Sequence, residues 1–465
     1  MLITVTASGI PITVSRLIIK HKAKGEQKKV NQTVSSGILT AILFSLPITL
    51  IFLLFHNKLG FIFSDKRCLT VLMIIIPSLI INSIYAVIRG SFWGNKNFFI
   101  YSLIEFLEEV VMLISGILLI RHASDMFDGV KKASWAVLIS YVFSFVLSAS
   151  VLIYQKTKPA NPIPQLKPLV SSALPITAMR TTTSIINSLI AIILPARLIA
   201  SGFTKAQALA SFGEVSGMAI PMLFIPSSLI GYIALVLVPE LSENYYKQDH
   251  KVLALNIQRA LKYSILIACI IIPVFASLGE IIGVSVYSNS NAGKYLVYSA
   301  FIMLPMSISM ITTSMLNSLS SEKKTLLYYF IGESGLIFSI YFLPKILGAG
   351  SLIAGYYFSF TVSAILNLKL LDKKCKEHIG YKRFLLAGFG FLIPSTLLGV
   401  FLRNILLTKF SYIVVLIICA SVVTAFNLLF YFVFGLVKVK VFFKKGNLNN
   451  RNKQHTTNGK VHKAV

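Results

Sequence analysis

The sequence predicts an all-α polytopic membrane protein of about thirteen transmembrane helices. Three observations carry that reading. Of the 465 residues, 55% are hydrophobic and only 13% are charged, against about 25% charged in soluble domains. The apolar residues fall in runs long enough to cross a hydrocarbon core of ~30 Å at ~1.5 Å per residue. The basic residues concentrate in alternate loops and a tail.

The runs cover 1–19, 33–55, 69–88, 98–120, 133–154, 169–195, 213–238, 261–279, 295–318, 325–344, 350–368, 384–402 and 411–436. Placing successive loops on opposite sides puts 30 Lys and Arg with the C-terminal tail and 12 on the other face. The basic side is expected to be cytoplasmic. The formal net charge of +28 is spread over short loops, not gathered on one folded face, so no nucleic-acid partner is expected. The cysteines show no CxxC pairing and the histidines sit in loops or the tail, which argues against a metal site. No nucleophile with a base, no phosphate-cradling glycine loop and no HExxH is present, so the chain is not expected to be an enzyme, and no cofactor is expected beyond coupling to membrane potential or a monovalent cation.

A gap-free shift of 228 residues pairs Pro11 with Pro239, Pro77 with Pro305, Lys96 with Lys324, Tyr101 with Tyr329 and Glu105 with Glu333. An even number of runs separates the copies, so the repeat is parallel. The expected organisation is an N-lobe over 1–154 lacking its first helix, an interlobe cytoplasmic linker over 155–168, a C-lobe over 169–371, two additional transmembrane helices within 384–436, and a basic cytoplasmic tail over 437–465. The linker is polar and contains four prolines, a stiff composition.

Candidate functional residues are the ionisable groups inside apolar runs, which are costly and usually face a cavity or a partner. Glu105, Glu108 and Glu109 share one helix face, about 12–18 Å deep. Glu333 is paired with Glu105 by the repeat. Arg180 lies at a depth similar to Glu109 and keeps its charge when buried, which suits a phosphate; the matched depths suggest that Arg180 and Glu109 compete with cargo for each other. Asn187 follows on the same run. Arg16, after the break at Pro11, reads as an anchor or gate. Pro221, Pro226 and Pro239 interrupt the stretch Phe212–Tyr245 and mark a helix lining a cavity. Tyr85, Trp93 and Tyr101 read as an interfacial belt.

The segments ASGIPITVSRLI (7–18), IRGSFWGNKNFFIYSLIE (88–105), LPITAMR (174–180), and GMAIPMLFIPSSL with LVPELSE (217–243) resemble the polysaccharide and lipid-linked oligosaccharide flippases of the multidrug/oligosaccharidyl-lipid/polysaccharide exporter superfamily, in particular the stage V sporulation protein B-like group. The resemblance implies a fourteen-helix fold, here minus the first helix, with two lobes around a V-shaped cavity and alternating access. It implies a multi-pass protein of the bacterial cell membrane, with the lipid bilayer, a lipid-linked oligosaccharide and cell-wall synthesis proteins as partners. The implied cargo is an undecaprenyl-pyrophosphate-linked glycan such as lipid II, for spore cortex. Many relatives read Glu-Gln-x-x-Arg where this chain has Glu105, Phe106 and Glu109. Two alternatives stand beside this: a cation-coupled multidrug exporter of the same superfamily, and a non-transporting scaffold for cell-wall assembly.

Overall fold

Over its described part, each of the thirteen apolar runs is helical in the computed structural model, which describes residues 6, 8–55, 66–155, 158–375, 377 and 379–436. In chain order the helices are α1 (Ile10–Ala23), α2 (Gln27–Phe55), α3 (Lys66–Ile75), α4 (Ser78–Gly94), α5 (Phe98–Ile120), α6 (Met126–Tyr154), α7 (Ile163–Ala200), α8 (Lys205–Phe212), α9 (Ile220–Tyr246), α10 (His250–Tyr287), α11 (Ser290–Ser299), α12 (Met303–Ser318), α13 (Glu322–Phe342), α14 (Pro344–Leu347), α15 (Gly350–Lys374), α16 (Lys382–Leu406) and α17 (Tyr412–Val433). Among the described residues, 11 helical runs are long and apolar enough to cross a membrane. The remaining two of the thirteen are α1 and α5, the latter loaded with the three glutamates. The basic tail expected over 437–465 lies outside the described residues.

Several helices outrun their apolar cores. Helix α7 has 38 residues and starts inside the stretch read as a linker, because Pro162 and Pro164 sit where a first turn needs no N–H donor. Arg180 is therefore close to the middle of its helix. The stretch Phe212–Tyr245 is not interrupted by its prolines. Gly213–Ala219 forms a π turn, Pro221 sits in the first turn of α9, and Pro226 and Pro239 lie inside that helix. A π turn widens the ladder and is frequent at functional sites, so the strain is absorbed upstream of Pro221.

The repeat is present in a different register from the one the proline matches suggest. Helix starts at Gln27, Phe98 and Met126 recur at His250, Glu322 and Gly350, 223 or 224 residues later. The helix-ending turns agree: Lys96 has φ 61° and Ser320 has φ 57°, while Gly25 has φ 72° and Gln248 has φ 60°. Turn geometry resists drift because only a C′ residue in the left-handed region closes the terminal carbonyls. The corrected register pairs Glu109, not Glu105, with Glu333.

The chain forms two compact units, one of residues up to Ser264 with Phe301–Tyr381, the other of Ile265–Ala300 with the chain from Lys382. In the first unit α1, α2 and α4 pack together, α5 packs on α6, and α13 lies between α7 and α15. The lobes meet there through α1 and α2 against α7, and α1 against α9. In the second unit α16 packs on α17, Ser395 donates to Asn427 at 2.8 Å, and Tyr431 donates to the Leu266 carbonyl at 3.3 Å.

Candidate functional site

The lobes are tied together near their basic-loop ends. Arg16 of α1 is 3% exposed and Glu322, in the first turn of α13, 7%. Arg16 Nη1 donates to Glu322 Oε2 at 2.8 Å and Nη2 to Oε1 at 3.2 Å, a forked contact. Nη1 also donates to the Asn317 carbonyl at 2.8 Å and Nη2 to Ser172 Oγ at 2.6 Å, while Nε has no partner among the described residues. A buried charge pair holds only when such additional bonds satisfy its lone pairs and protons. Nearby, the Gly9 amide donates to Thr177 Oγ1 at 3.1 Å, His21 Nε2 contacts Gln165 Oε1 at 3.1 Å, and Lys96 bridges to Glu243 at 2.5 Å. Arg16 is thus a joint between the lobes, a role wider than an anchor. Glu322 went unread in the sequence because it stands at a helix start beside two lysines, where an exposed acid is ordinary.

Farther from the basic loops, the N-lobe presents a charged aromatic cluster. Arg89 is part of α4, not of a loop as the residue count assumed, and its guanidinium lies 5.7 Å from the Tyr85 ring centre and 5.6 Å from that of Trp93. Tyr85, Arg89 and Trp93 are four residues apart, so they share a helix face; that spacing was the signal available in the sequence. Trp93 meets Tyr101 edge-on at 5.4 Å. These aromatics are buried and surround a cation, contrary to the belt expected of them. Gly90 makes this possible, since a Cβ there would sit 2.6 Å from the Pro11 carbonyl oxygen of α1. Pro11 itself starts α1. Glu105 faces Arg89 at 3.5 Å. Tyr85 Oη, Arg89 Nε and Trp93 Nε1 are buried and have no partner among the described residues. Three unspent donors, one of them the guanidinium's own Nε–H, are costly unless a water or ligand acceptor meets them.

Arg180, from α7 of the other lobe, is exposed and close enough to feel the charge of Arg89. No ion pair joins it to Glu109 among the described residues. Glu109 instead lines a mostly apolar groove of about 770 Å³ between α5 and α6 that ends at Arg121. The expected Arg180–Glu109 juxtaposition is thus not seen as an ion pair among the described residues, and the charged residue that the sequence reading missed is Arg89.

Glu333 occupies a second cavity, of about 670 Å³, lined by Asn187, Ser216, Phe224, Tyr329 and Tyr356 among others. Ser359 donates to Glu333 at 3.1 Å, and Thr183 and Tyr329 share a bond of 2.7 Å. Gly332 lets α13 approach α15, because a Cβ there would sit 2.8 Å from the Ser359 carbonyl oxygen. The π turn supplies Ser216, and Phe224 follows Pro221, so the proline-bearing stretch does line a cavity. Glu333 and Asn187 come together there; Glu105 faces Arg89; Glu109 joins neither group.

The family model described as polysaccharide biosynthesis protein matches residues 1–245. Stage V sporulation protein B of Bacillus subtilis (strain 168) is 27% identical over 418 residues, covering 83% of this chain and 79% of that protein. Among solved structures, a MATE in the straight conformation gives a TM-score of 0.69 at 14% identity, covering 81% of this chain and 86% of the other. The Vibrio cholerae MATE transporter VcmN in its bent form gives 0.67 at 15% identity, with 80% and 86% covered. An outward-facing multidrug resistance MATE family transporter of the MOP superfamily gives 0.69 at 15%, with 81% and 85% covered. The fold is that of the MATE transporters, and with its family match running over more than half its length, this multi-pass membrane chain belongs to the polysaccharide biosynthesis protein family.

Proposed function

We propose that this chain is a flippase for a lipid-linked glycan, carrying an undecaprenyl-pyrophosphate-linked, lipid II-like cargo for spore cortex by alternating access, with the basic loops and tail in the cytoplasm. The observation that carries the proposal is the Arg89 guanidinium set against Tyr85 and Trp93, with Arg89 Nε, Tyr85 Oη and Trp93 Nε1 lacking a partner among the described residues, and with the exposed Arg180 supplied by the other lobe. A guanidinium keeps its charge in a low-dielectric setting and grips phosphate by two parallel bonds. The aromatic walls at Tyr85 and Trp93 suit sugar faces as well as cations. The Arg16–Glu322 joint closes the basic-loop side while the two arginines remain reachable. The name of the Bacillus subtilis relative supports sporulation as the setting. The test is translocation of fluorescent lipid II in proteoliposomes: wild type should move it, and Arg89→Ala or Arg180→Ala should abolish movement without loss of folded protein. Unchanged translocation in both variants would reject the reading.

The Glu333 cavity favours a coupling role inside the same cycle. An acid enclosed with Ser359, Tyr329 and Asn187 can take up a proton or a monovalent cation when one face is open and release it at the other. If the cargo were a drug in place of a glycan, the same cavity would serve a cation-coupled exporter. Dye efflux in place of lipid II movement, abolished by Glu333→Gln, would select that alternative.

A further inference from the structure

At the basic-loop face, between the lobes and apart from Arg89 and Arg180, lies a cavity of about 390 Å³ whose charged lining is Lys22, Lys96, Lys247 and Glu243. Two of the lysines already share the one carboxylate: Lys96 reaches Glu243 at 2.5 Å and Lys247 reaches it at 2.7 Å. Lys22 has no ion-pair partner among the described residues. The cavity therefore holds three ammonium groups against one acid.

Lys96 is unusual in its backbone as well as its position. Its φ of 61° is the left-handed conformation that a helix-ending turn gives by preference to glycine. The turn after α1 has Gly25 there, and the turn equivalent to that of Lys96 in the second lobe has Ser320. The Lys96 side chain crosses to the other lobe to reach Glu243. Lys20 and Lys374 crowd the same face, Lys20 lying 5.7 Å from the Tyr246 ring centre and Lys374 5.5 Å from that of Tyr245.

We infer that this cavity is a binding site for a phosphate-bearing anion, which displaces the Glu243 carboxylate from Lys96 and recruits Lys22. Compact, mobile ammonium groups suit a phosphate dianion as point charges. The volume leaves room for an organic group beyond one or two phosphates. Lys22 and Lys96 come from the first lobe and Lys247 from the second, so a bound anion is gripped by both and holds the lobes together on this side. Such a ligand would slow the cycle of the transporter without touching its cargo. The phosphate could be carried by a soluble molecule or by a lipid headgroup, and the two sources share this chemistry.

The test uses the full chain in phosphatidylcholine nanodiscs, titrated with inorganic pyrophosphate by calorimetry. Arg180→Ala, which removes an arginine proposed to hold the cargo pyrophosphate, should still bind pyrophosphate, and that retained binding is the one followed when the lysine variants are made in its background. Lys22→Gln and Lys247→Gln should each weaken binding about tenfold, while Lys323→Gln, on a neighbouring basic turn, should not change it. Glu243→Gln should tighten binding, since it removes the competing carboxylate; a purely structural ion pair would give no such gain. Replacing part of the phosphatidylcholine by phosphatidic acid separates the sources: competition with pyrophosphate identifies a lipid phosphate, and its absence a soluble one. No binding by wild type, equal loss in Lys323→Gln, or weaker binding in Glu243→Gln would overturn the inference.

Discussion

Replacing Glu322 by Gln should open the basic-loop side of the first unit. In the present conformation Arg16 is almost completely enclosed, and Glu322 supplies both oxygens of its forked contact. Ser172 and the Asn317 carbonyl remain as acceptors but carry no compensating charge. Removing one partner of a buried pair typically costs about 3–5 kcal/mol, because the other charge is left uncompensated. When the lobes part, Arg16 can be hydrated, so most of that cost falls on the closed form alone. At about 1.4 kcal/mol per factor of ten, the closed-to-open ratio should fall by roughly a hundredfold to a few thousandfold.

The assay is a distance measurement between spin labels placed across the joint, at Lys24 in the turn after α1 and Lys167 near the start of α7. Wild type should give one short distribution; Glu322→Gln should give a dominant long one. The paired variant Arg16→Met with Glu322→Leu should return to the short distribution, because apolar replacement of a buried pair is commonly neutral or stabilising. A short distribution in Glu322→Gln would show that the pair does not hold the lobes. A long one in the double apolar variant would show that packing by these residues had been misjudged.

Other consequences can be checked separately. Arg89→Lys should fail to rescue translocation even though it keeps the charge, because an ammonium lacks the planar face that lies against Tyr85 and Trp93; a translocation assay on the two variants side by side decides this. Gly332→Val should destabilise by about 1–3 kcal/mol, since its side chain would press on the Ser359 carbonyl and push α13 off α15, and a thermal melt in detergent would register it. Glu26, in the turn after α1, is held down to about 2 by hydrogen bonds from Lys29 and His21. A depressed carboxyl contributes stability above its unfolded value, and that contribution is lost as pH falls from the unfolded value near 4.5 toward 2. Glu26→Gln should therefore lower the melting temperature at neutral pH, where that contribution is fully present, and flatten its fall across that window.

The helices were legible because a bilayer leaves the backbone few choices: apolar runs of this length must satisfy their own N–H and C=O groups. Helix limits were less legible. Pro162 and Pro164 read as linker, yet a proline at the cap or in the first turn has no intrahelical bond to lose. The site was half legible. Glu333 and Asn187 stood out as polar residues in apolar runs, and they share a cavity. Arg89 did not, because a basic residue five positions before a turn looks the same in sequence whether it faces a loop or an aromatic cluster. The Arg16–Glu322 pair joins residues 306 positions apart, a separation that no local spacing rule reaches.

The repeat register shows what such a misreading costs. A shift of 228 aligns five pairs of identical residues, but turn geometry demands 223 or 224, and the smaller shift makes Glu109 and Glu333 equivalents in unlike surroundings. Helix α13 is covered by α7 on one side and α15 on the other, while the substantial contacts of α5 are with α6 and α4. Glu333 is consequently enclosed beside Ser359, whereas Glu109 is exposed in an apolar groove flanked by the exposed side chains of Leu113 and Ile117. A lipid-soluble carbodiimide, which reaches carboxyls through the membrane, should label Glu109 well before Glu333, with mass spectrometry of the two peptides as the readout. Cargo added beforehand should slow labelling of neither, because neither carboxyl is placed beside Arg89 or Arg180. Equal labelling rates would mean that both copies of the repeat enclose their acid alike, and the division of roles between Glu109 and Glu333 would fail.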